Sequence, residues 1–594
     1  MFSSASTPLS PPATHQRKTT AETSTTSLKD LTIDSTSVDM ASEASSNDNN
    51  NKQYGSITIR QDGENATAAT KEELMVSRTP SKKSSVGMTS SVSTVSHVLI
   101  KTQSTFVEDA AFFREGSVPH SIVLATVIGS VCGAAAFLYY AGLEFMLDYL
   151  WKDLPEQIFM DQVSEEWHWL WIPLLGFSLA VCVGLSVVFL GEPGDLPYTI
   201  KCVHDKAYVA MDHVLPMVGA SQFSILAGGS LGPEAPLVAI CAALGGFVSR
   251  SVFGVTERNL IRKHTLMGMA GALAAFFGCP LGGSLFALEV CSRFGVEYFE
   301  HSLEAIFCGE VCLAVFRTLA RLPIKYIWTM PGVEHLEGAE TIQLFYGLML
   351  GLFGAFMAFV FAKFHATVMG IMGKNGLLDN KYAVYRALVG AVVIVTAGVL
   401  VPHTMFWGEY EFQTVSTLSP ASTLEHIWPT TGATGFELDS FWACIIMGLA
   451  KLVAISFTVA GGYRGGYIFP IFCAGAAFGR AVFFIFPQIP VQLCVLCMAA
   501  AMNVALTRTA LATTLILSYL SNEQAAIAPV LAASLVSLFA TAYMPFIKTQ
   551  VDRSDIDVSI FYTFESDDEF STIEEEQGKE VVDDEEAASK PLLV

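Results

Sequence analysis

The sequence predicts an all-α integral membrane protein whose helices are broken and re-entrant, and three observations carry that prediction. The chain of 594 residues is 52% hydrophobic and only 15% charged, with a mean hydropathy of +0.46, too apolar for a soluble globular protein of this size. The apolar residues fall into successive stretches between residues 116 and 547, with polar segments on either side. Several of those stretches are interrupted by clusters of Gly and Pro.

Residues 1–115 are rich in Ser and Thr, a composition that buries too little apolar area to offset chain entropy, and are expected to be disordered. The opening MFSSASTPLSPPATHQRKTT has no apolar core of the secretory type, so insertion is expected to rely on internal segments. Residues 548–594 are expected to form a disordered acidic tail. That tail holds much of the acid behind the formal net charge of -22, so net charge says little about the interior. The 12 cysteines lie mostly in apolar stretches, as small hydrophobes and not as a disulfide framework. Cys494 and Cys497 spell C-x-x-C but lack two further ligands nearby, so packing is the expected role and no metal is expected.

A bilayer crossing takes roughly 20 apolar residues. Spans are predicted over His120–Met146, Trp169–Leu190, Ala207–Leu226, Leu266–Glu289, Ser302–Leu319, Leu344–Met369, Val384–Val401, Phe441–Val459 and Tyr467–Phe486, and near Leu493–Ala505 and Leu511–Tyr543. Trp167, Trp169 and Trp171 suit an interfacial anchor, and Gly347-x-x-x-Gly351 suits close helix packing, with a hint of dimerisation. The breaks are GEPGDLP (Gly191–Pro197), GGSLGPEAP (Gly228–Pro236), GCPLGG (Gly278–Gly283) and GGYRGGYIFP (Gly461–Pro470). Irregular backbone at membrane depth survives only when packed in protein or lining a wet cavity. Breaks on both sides of the polar connection Pro323–Glu340 therefore predict inverted halves meeting near the midplane.

Gly232-Pro233-Glu234-Ala235-Pro236 opens directly into an apolar helix. First-turn amides have no partner within their own helix, and with the helix dipole they make an anion site. GGYIFP, Gly465–Pro470, repeats the device. A carboxylate in the bilayer interior is a functional candidate by default. Glu234 can occupy the site as a tethered anion when ionised and leave when protonated, or it can simply cap its own helix; spacing weights the two equally.

These residues resemble the CLC family of chloride channels and chloride/proton antiporters, over roughly Ser117 to Ile547. GPEAPLVAI looks like the family's G-[KR]-E-G-P segment, with Glu234 at the gating position. GGYIFP looks like G-x-F-x-P, PLGGSLFALEV (Pro280–Val290) like the helix that follows, and Pro193–Pro197 like G-S-G-I-P. The resemblance implies a CLC-type inverted-repeat helical bundle that moves chloride or a similar small anion. Its anion-binding positions would be Gly194, Gly232, Glu234, Ile468, Phe469 and Tyr543, with Phe546 the rival for the pore tyrosine. Gly194 replaces the family's coordinating Ser, so the choice among chloride, nitrate and other anions stays open. Pro233 and Ala235 replace the usual basic residue and Gly, and Ile468 takes the Phe position.

At the position where antiporters carry a proton-passing acid, this chain has Val290, with Glu289 one residue earlier. An aliphatic side chain passes no proton, so the resemblance favours a voltage- and pH-gated channel, with the antiporter as the alternative. Glu289 is expected to pair with Arg293 at a helix end, and would serve the relay only if the alignment slips by one. The stretch after Ile547 is too short for the paired nucleotide-sensing domains that many relatives append. No nucleotide, nucleic-acid or other cofactor is expected, and membrane lipid and a homodimer partner are. The dimer contact would lie around Ala274–Leu288 and Phe307–Leu319.

A remote alternative is an intramembrane serine hydrolase, because Gly228-Gly229-Ser230-Leu231-Gly232 matches G-x-S-x-G. That nucleophile elbow needs a strand, a turn and a helix in an α/β sheet. His204, His213 and His301 show no evident pairing with Ser230.

Overall fold

The computed structural model describes residues 117–191, 193–292, 302–323, 327–328, 335–336, 340–424, 428–544 and 546–550. The expected disordered region 1–115, the tail beyond 550, His301 and Arg293 lie outside them. Among the described residues the regular elements are helical, and seven helical stretches are long and apolar enough to cross a membrane.

The first group runs α1 (Val118–Asp148), α2 (Trp171–Leu190), α3 (Leu196–Asp205), α4 (Val214–Leu226), α5 (Glu234–Phe247), α6 (Arg258–Phe277), α7 (Pro280–Glu289) and α8 (Ser302–Ala320). The second runs α9 (Thr341–Lys374), α10 (Ala383–Leu400), α11 (Glu409–Thr417), α12 (Phe441–Ala460), α13 (Ile468–Ile485), α14 (Val491–Thr507), α15 (Ala510–Leu520) and α16 (Ile527–Ala540). A ten-residue helix is only about 15 Å long, half the hydrocarbon thickness. Helices such as α3 and α7 therefore start or stop inside the protein body, which is what makes their ends available to a site.

Prolines and glycines set those ends. Pro197 and Pro280 lie in the first turns of α3 and α7, where a missing N–H costs nothing. Gly278, at φ +64°, stops α6, a left-handed conformation that glycine adopts without penalty. The predicted Leu266–Glu289 span is thus two helices, α6 and α7. Leu511–Tyr543 likewise divides into α15 and α16 at Asn522, φ +57°, and the predicted span Ala207–Leu226 holds a short 3-10 turn, Met211–His213, and the 13-residue α4. Window hydrophobicity reads through such turns because their flanks are equally apolar.

The core is formed by α5, α6, α13 and α14, with α14 buried along its whole length. Small residues let these helices approach closely. A Cβ on Gly268 of α6 would strike the Cys241 carbonyl of α5, and one on Gly479 of α13 the Cys494 carbonyl of α14. All twelve cysteines are free, and all but Cys182 are buried.

Two expectations change. Gly347 and Gly351 pack against Pro529 and Ala533 of α16 in the same chain, so this small-residue motif joins two helices of one subunit. Trp171 is no interfacial anchor: it is buried, with its indole N–H donating to the Leu150 carbonyl at 3.2 Å. Trp167 remains exposed.

Candidate functional site

The Gly-rich breaks before α5 and α13 meet. Gly232 and Gly466 form an antiparallel bridge, each amide donating to the other's carbonyl at 2.7 Å. A Cβ on either would collide with the carboxylate of Glu234 in its present seat. The bridge joins the two halves of the chain and holds the starts of two helices side by side, in the antiparallel sense that inverted halves require.

Glu234 begins α5, yet its side chain serves α13. Oε1 accepts from the Ile468 amide at 3.0 Å, and the Phe469 amide is also directed at the carboxylate. Glu234 is fully buried, and its Oε2 has no hydrogen-bond partner. The carboxyl group is thus seated on the first turn of a neighbouring helix, where the dipole favours negative charge. The amide of Glu234 itself, at the start of α5, is directed at the same carboxylate, so the side chain serves two helix starts.

Around this seat the walls are aromatic. Phe469 packs edge-on against Phe276, Phe472 and Trp328 and tilted against Phe277, with ring centroids 5.5 to 6.1 Å apart. Such a wall excludes water and strengthens whatever electrostatics remain inside. A void of about 10 Å³ touches Glu234, Ala235, Phe286, Val290, Tyr467 and Ile468. Val290 therefore faces the same space as Glu234.

On the other side of Ala235 lies a cavity of about 140 Å³. Its lining includes Gly194 and Asp195 at the start of α3, Pro236, Arg464, Tyr467 and Phe546. Three helix starts, those of α3, α5 and α13, thus border one cavity. Asp195 caps its own helix by accepting from the Tyr198 amide at 2.8 Å, and lies 3.9 Å from the Arg464 guanidinium. Gly194 lies beneath the ring of Tyr198, which a Cβ would strike. The Tyr198 hydroxyl is 2.7 Å from His213 Nε2.

Tyr543 does not line this cavity: its side chain is fully exposed. The chain turns after α16 so that Phe546 faces the cavity instead, 5.6 Å from the Tyr467 ring and nearly perpendicular to it. No periodicity marks that turn, because it lies beyond the last helix.

Glu289 is also placed differently from expectation. Its two oxygens accept from the Leu511 and Ala512 amides at 3.1 and 2.8 Å, so it caps α15. The sequence reading also missed Lys451, whose lone charge in the apolar α12 was the available signal. Its buried ammonium donates to the carbonyls of Thr404, Met405 and Phe406 at 3.1, 3.0 and 2.9 Å. That fixes the loop carrying Trp407, which lies against Gly232. Ser230 follows helix α4, not a strand, so the hydrolase elbow is not formed.

Comparison with known proteins gives a consistent picture. The sequence profile of the family described as "Voltage gated chloride channel" matches residues 196–542, more than half of the chain. The H(+)/Cl(-) exchange transporter ClcA of Klebsiella pneumoniae subsp. pneumoniae is 24% identical over 392 residues, covering 62% of this chain and 73% of that relative. A solved CLC-type fluoride/proton antiporter superposes with a TM-score of 0.58 at 19% identity, covering 74% of this chain and 99% of that one. A slow cyanobacterial Cl-/H+ antiporter gives 0.59 at 16% identity, covering 72% and 96%.

Proposed function

Since the chain belongs to the voltage gated chloride channel (CLC) family, we propose that it exchanges chloride or a similar small anion for protons across its membrane, with Glu234 as the group both ions share. The observation that carries this reading is the seat of Glu234. One oxygen holds the Ile468 amide while the other is unpartnered, beside the void reached by Val290, and the next residue, Ala235, lines both that void and the 140 Å³ cavity.

An ionised carboxylate competes with a permeant anion for the amides of Ile468 and Phe469. On taking up a proton, Glu234 loses the charge that held it there, and the anion takes the seat. Partial charges of amides suit transit better than a full positive charge, since binding must be weak enough to release. The exchanger names of the relatives with this fold support proton coupling over the simple channel that the sequence favoured.

The channel remains a second reading because of one observation: Val290, at the relay position, presents no proton-carrying group to the void it shares with Glu234. A single experiment separates the two. Purified protein in liposomes, driven by a chloride gradient, is expected to move protons uphill. Chloride flux with no proton movement replaces the exchanger with the channel, and no anion flux at all ends both readings. The homodimer belongs to the same proposal. Leu281, Phe307 and Leu319 are exposed apolar residues of α7 and α8 available for that contact.

A further inference from the structure

Arg508 follows the last residue of α14 and stands at φ +67°, in the left-handed region. Glycine or asparagine takes that conformation at a helix end with less strain. The reason for an arginine there lies in its side chain, which is almost wholly buried. Nη1 donates to the Leu538 carbonyl at 3.2 Å and the Thr541 hydroxyl at 2.9 Å. Nη2 donates to the carbonyls of Thr541 and Met544, the latter at 2.8 Å. One guanidinium thus gathers the carbonyl end of α16 and the turn that follows it. The last carbonyls of a helix have no partner within it, and a cation suits the negative end of its dipole. The planar fork of donors is what lets a single side chain reach all four acceptors.

A second tie lies on the far side of Phe546. Gln550, also buried, donates from Nε2 to the carbonyls of Thr507 and Val290 at 2.8 and 2.9 Å. Thr507 is the neighbour of Arg508 in the chain, so both ties converge on the end of α14. Between them Phe546 sets its ring 5.9 Å from Phe361 and 5.5 Å from His365, both of α9, and 5.6 Å from Tyr467. The ring lines the 140 Å³ cavity, whereas Arg508 is not part of that lining.

From this geometry we infer that Arg508 is a positioning residue for transport. It fixes the turn after α16 and so sets how far the Phe546 ring reaches into the cavity, which decides by size which anions pass. With the guanidinium removed, the turn loses the donors that hold it to α14, the ring leaves its place between α9 and Tyr467, and the cavity widens. The inference rests on the transport reading for its consequence to anions. The seating of the ring can be measured without any transport.

The test therefore has two arms, both on the full chain. In detergent, Phe546→Cys is treated with a water-soluble methanethiosulfonate, and labelling at position 546 is read by peptide mass, which separates it from the twelve native cysteines. Adding Arg508→Gly removes the fork while easing the backbone, and is expected to speed labelling by roughly fivefold or more, within the range by which residues in one hydrogen-bonded network couple. In liposomes, iodide flux relative to chloride is expected to rise by a similar factor with Arg508→Gly and with Phe546→Ala. The two together should give no more than Phe546→Ala alone. Arg508→Lys, which keeps the charge and loses the fork, should resemble the glycine variant. Labelling that Arg508→Gly leaves unchanged overturns the inference. So does an iodide preference that rises just as much when Arg508→Gly is added to Phe546→Ala. A glycine variant that does not fold also overturns it, because the arginine then serves stability instead. If the unsubstituted protein carries no anion, the transport reading fails and the role in anion choice with it, whatever the labelling shows. If anions move but neither labelling nor the iodide ratio responds, only the role of Arg508 fails.

Discussion

Glu234 and Glu289 each cap a helix other than their own, and they do it differently. Glu289 spends both oxygens on α15, one on each of two successive first-turn amides. Glu234 binds α13 through Oε1 and leaves Oε2 without a partner. A buried acceptor left unsatisfied is costly, so the first carboxylate is held in place and the second has reason to move. Their surroundings agree: Glu234 borders a void, whereas both oxygens of Glu289 are engaged by successive amides of α15. The lesson is that a buried acid in this fold is read by how many of its oxygens are used, not by its burial.

That contrast can be broken or sharpened in order of expected effect. Glu234→Gln should have the largest consequence. Flux through the unsubstituted protein should climb as pH falls, because protonation removes the charge that competes with the anion, by at most about tenfold per unit for one group. In the glutamine variant, liposome flux should be flat with pH, and unchanged pH dependence would remove Glu234 from the gate.

Next comes Glu289→Ala, which strips the cap from α15 and should lower stability by about 2–3 kcal/mol in detergent unfolding. Glu234→Ala should stay within about 1 kcal/mol. Equal losses at the two positions would erase the distinction between them.

A subtler change is Gly466→Ala, whose added methyl would strike the Glu234 carboxylate. It should raise flux at neutral pH toward the level of the glutamine variant, measured in the same liposomes. Smallest is Val290→Glu, which adds an ionisable group to the void beside Glu234. Protons moved per anion should increase, and an unchanged ratio would show that relay at that position does not limit exchange.

How much of this was legible in the sequence depends on range. The membrane class, the long helices and the breaks could be read, because hydrophobic run length and Gly-Pro clusters act locally. Glu234 stood out for the same reason, as an acid flanked by prolines at an apolar helix start. Which helix it caps was not legible: the Ile468 amide is 234 residues away in the chain. Glu289 shows the same limit, since its partners on α15 lie more than 220 residues on, and the nearby Arg293 was the only partner visible from sequence. Tyr543 drew attention as a tyrosine near the end of the last span, yet the turn that exposes it brings Phe546 inward. The Gly347 and Gly351 pair correctly signalled a close helix crossing, but spacing carries no information about whether the second helix belongs to the same subunit.

The mutual amide-to-carbonyl pair at Gly232 and Gly466 implies that neither half of the polypeptide owns the Glu234 seat. Each contributes one strand of a two-residue clasp, and the side chain from one half rests on backbone from the other. A polypeptide severed in the connection Pro323–Glu340 should therefore regain its ion path only when both pieces are made together.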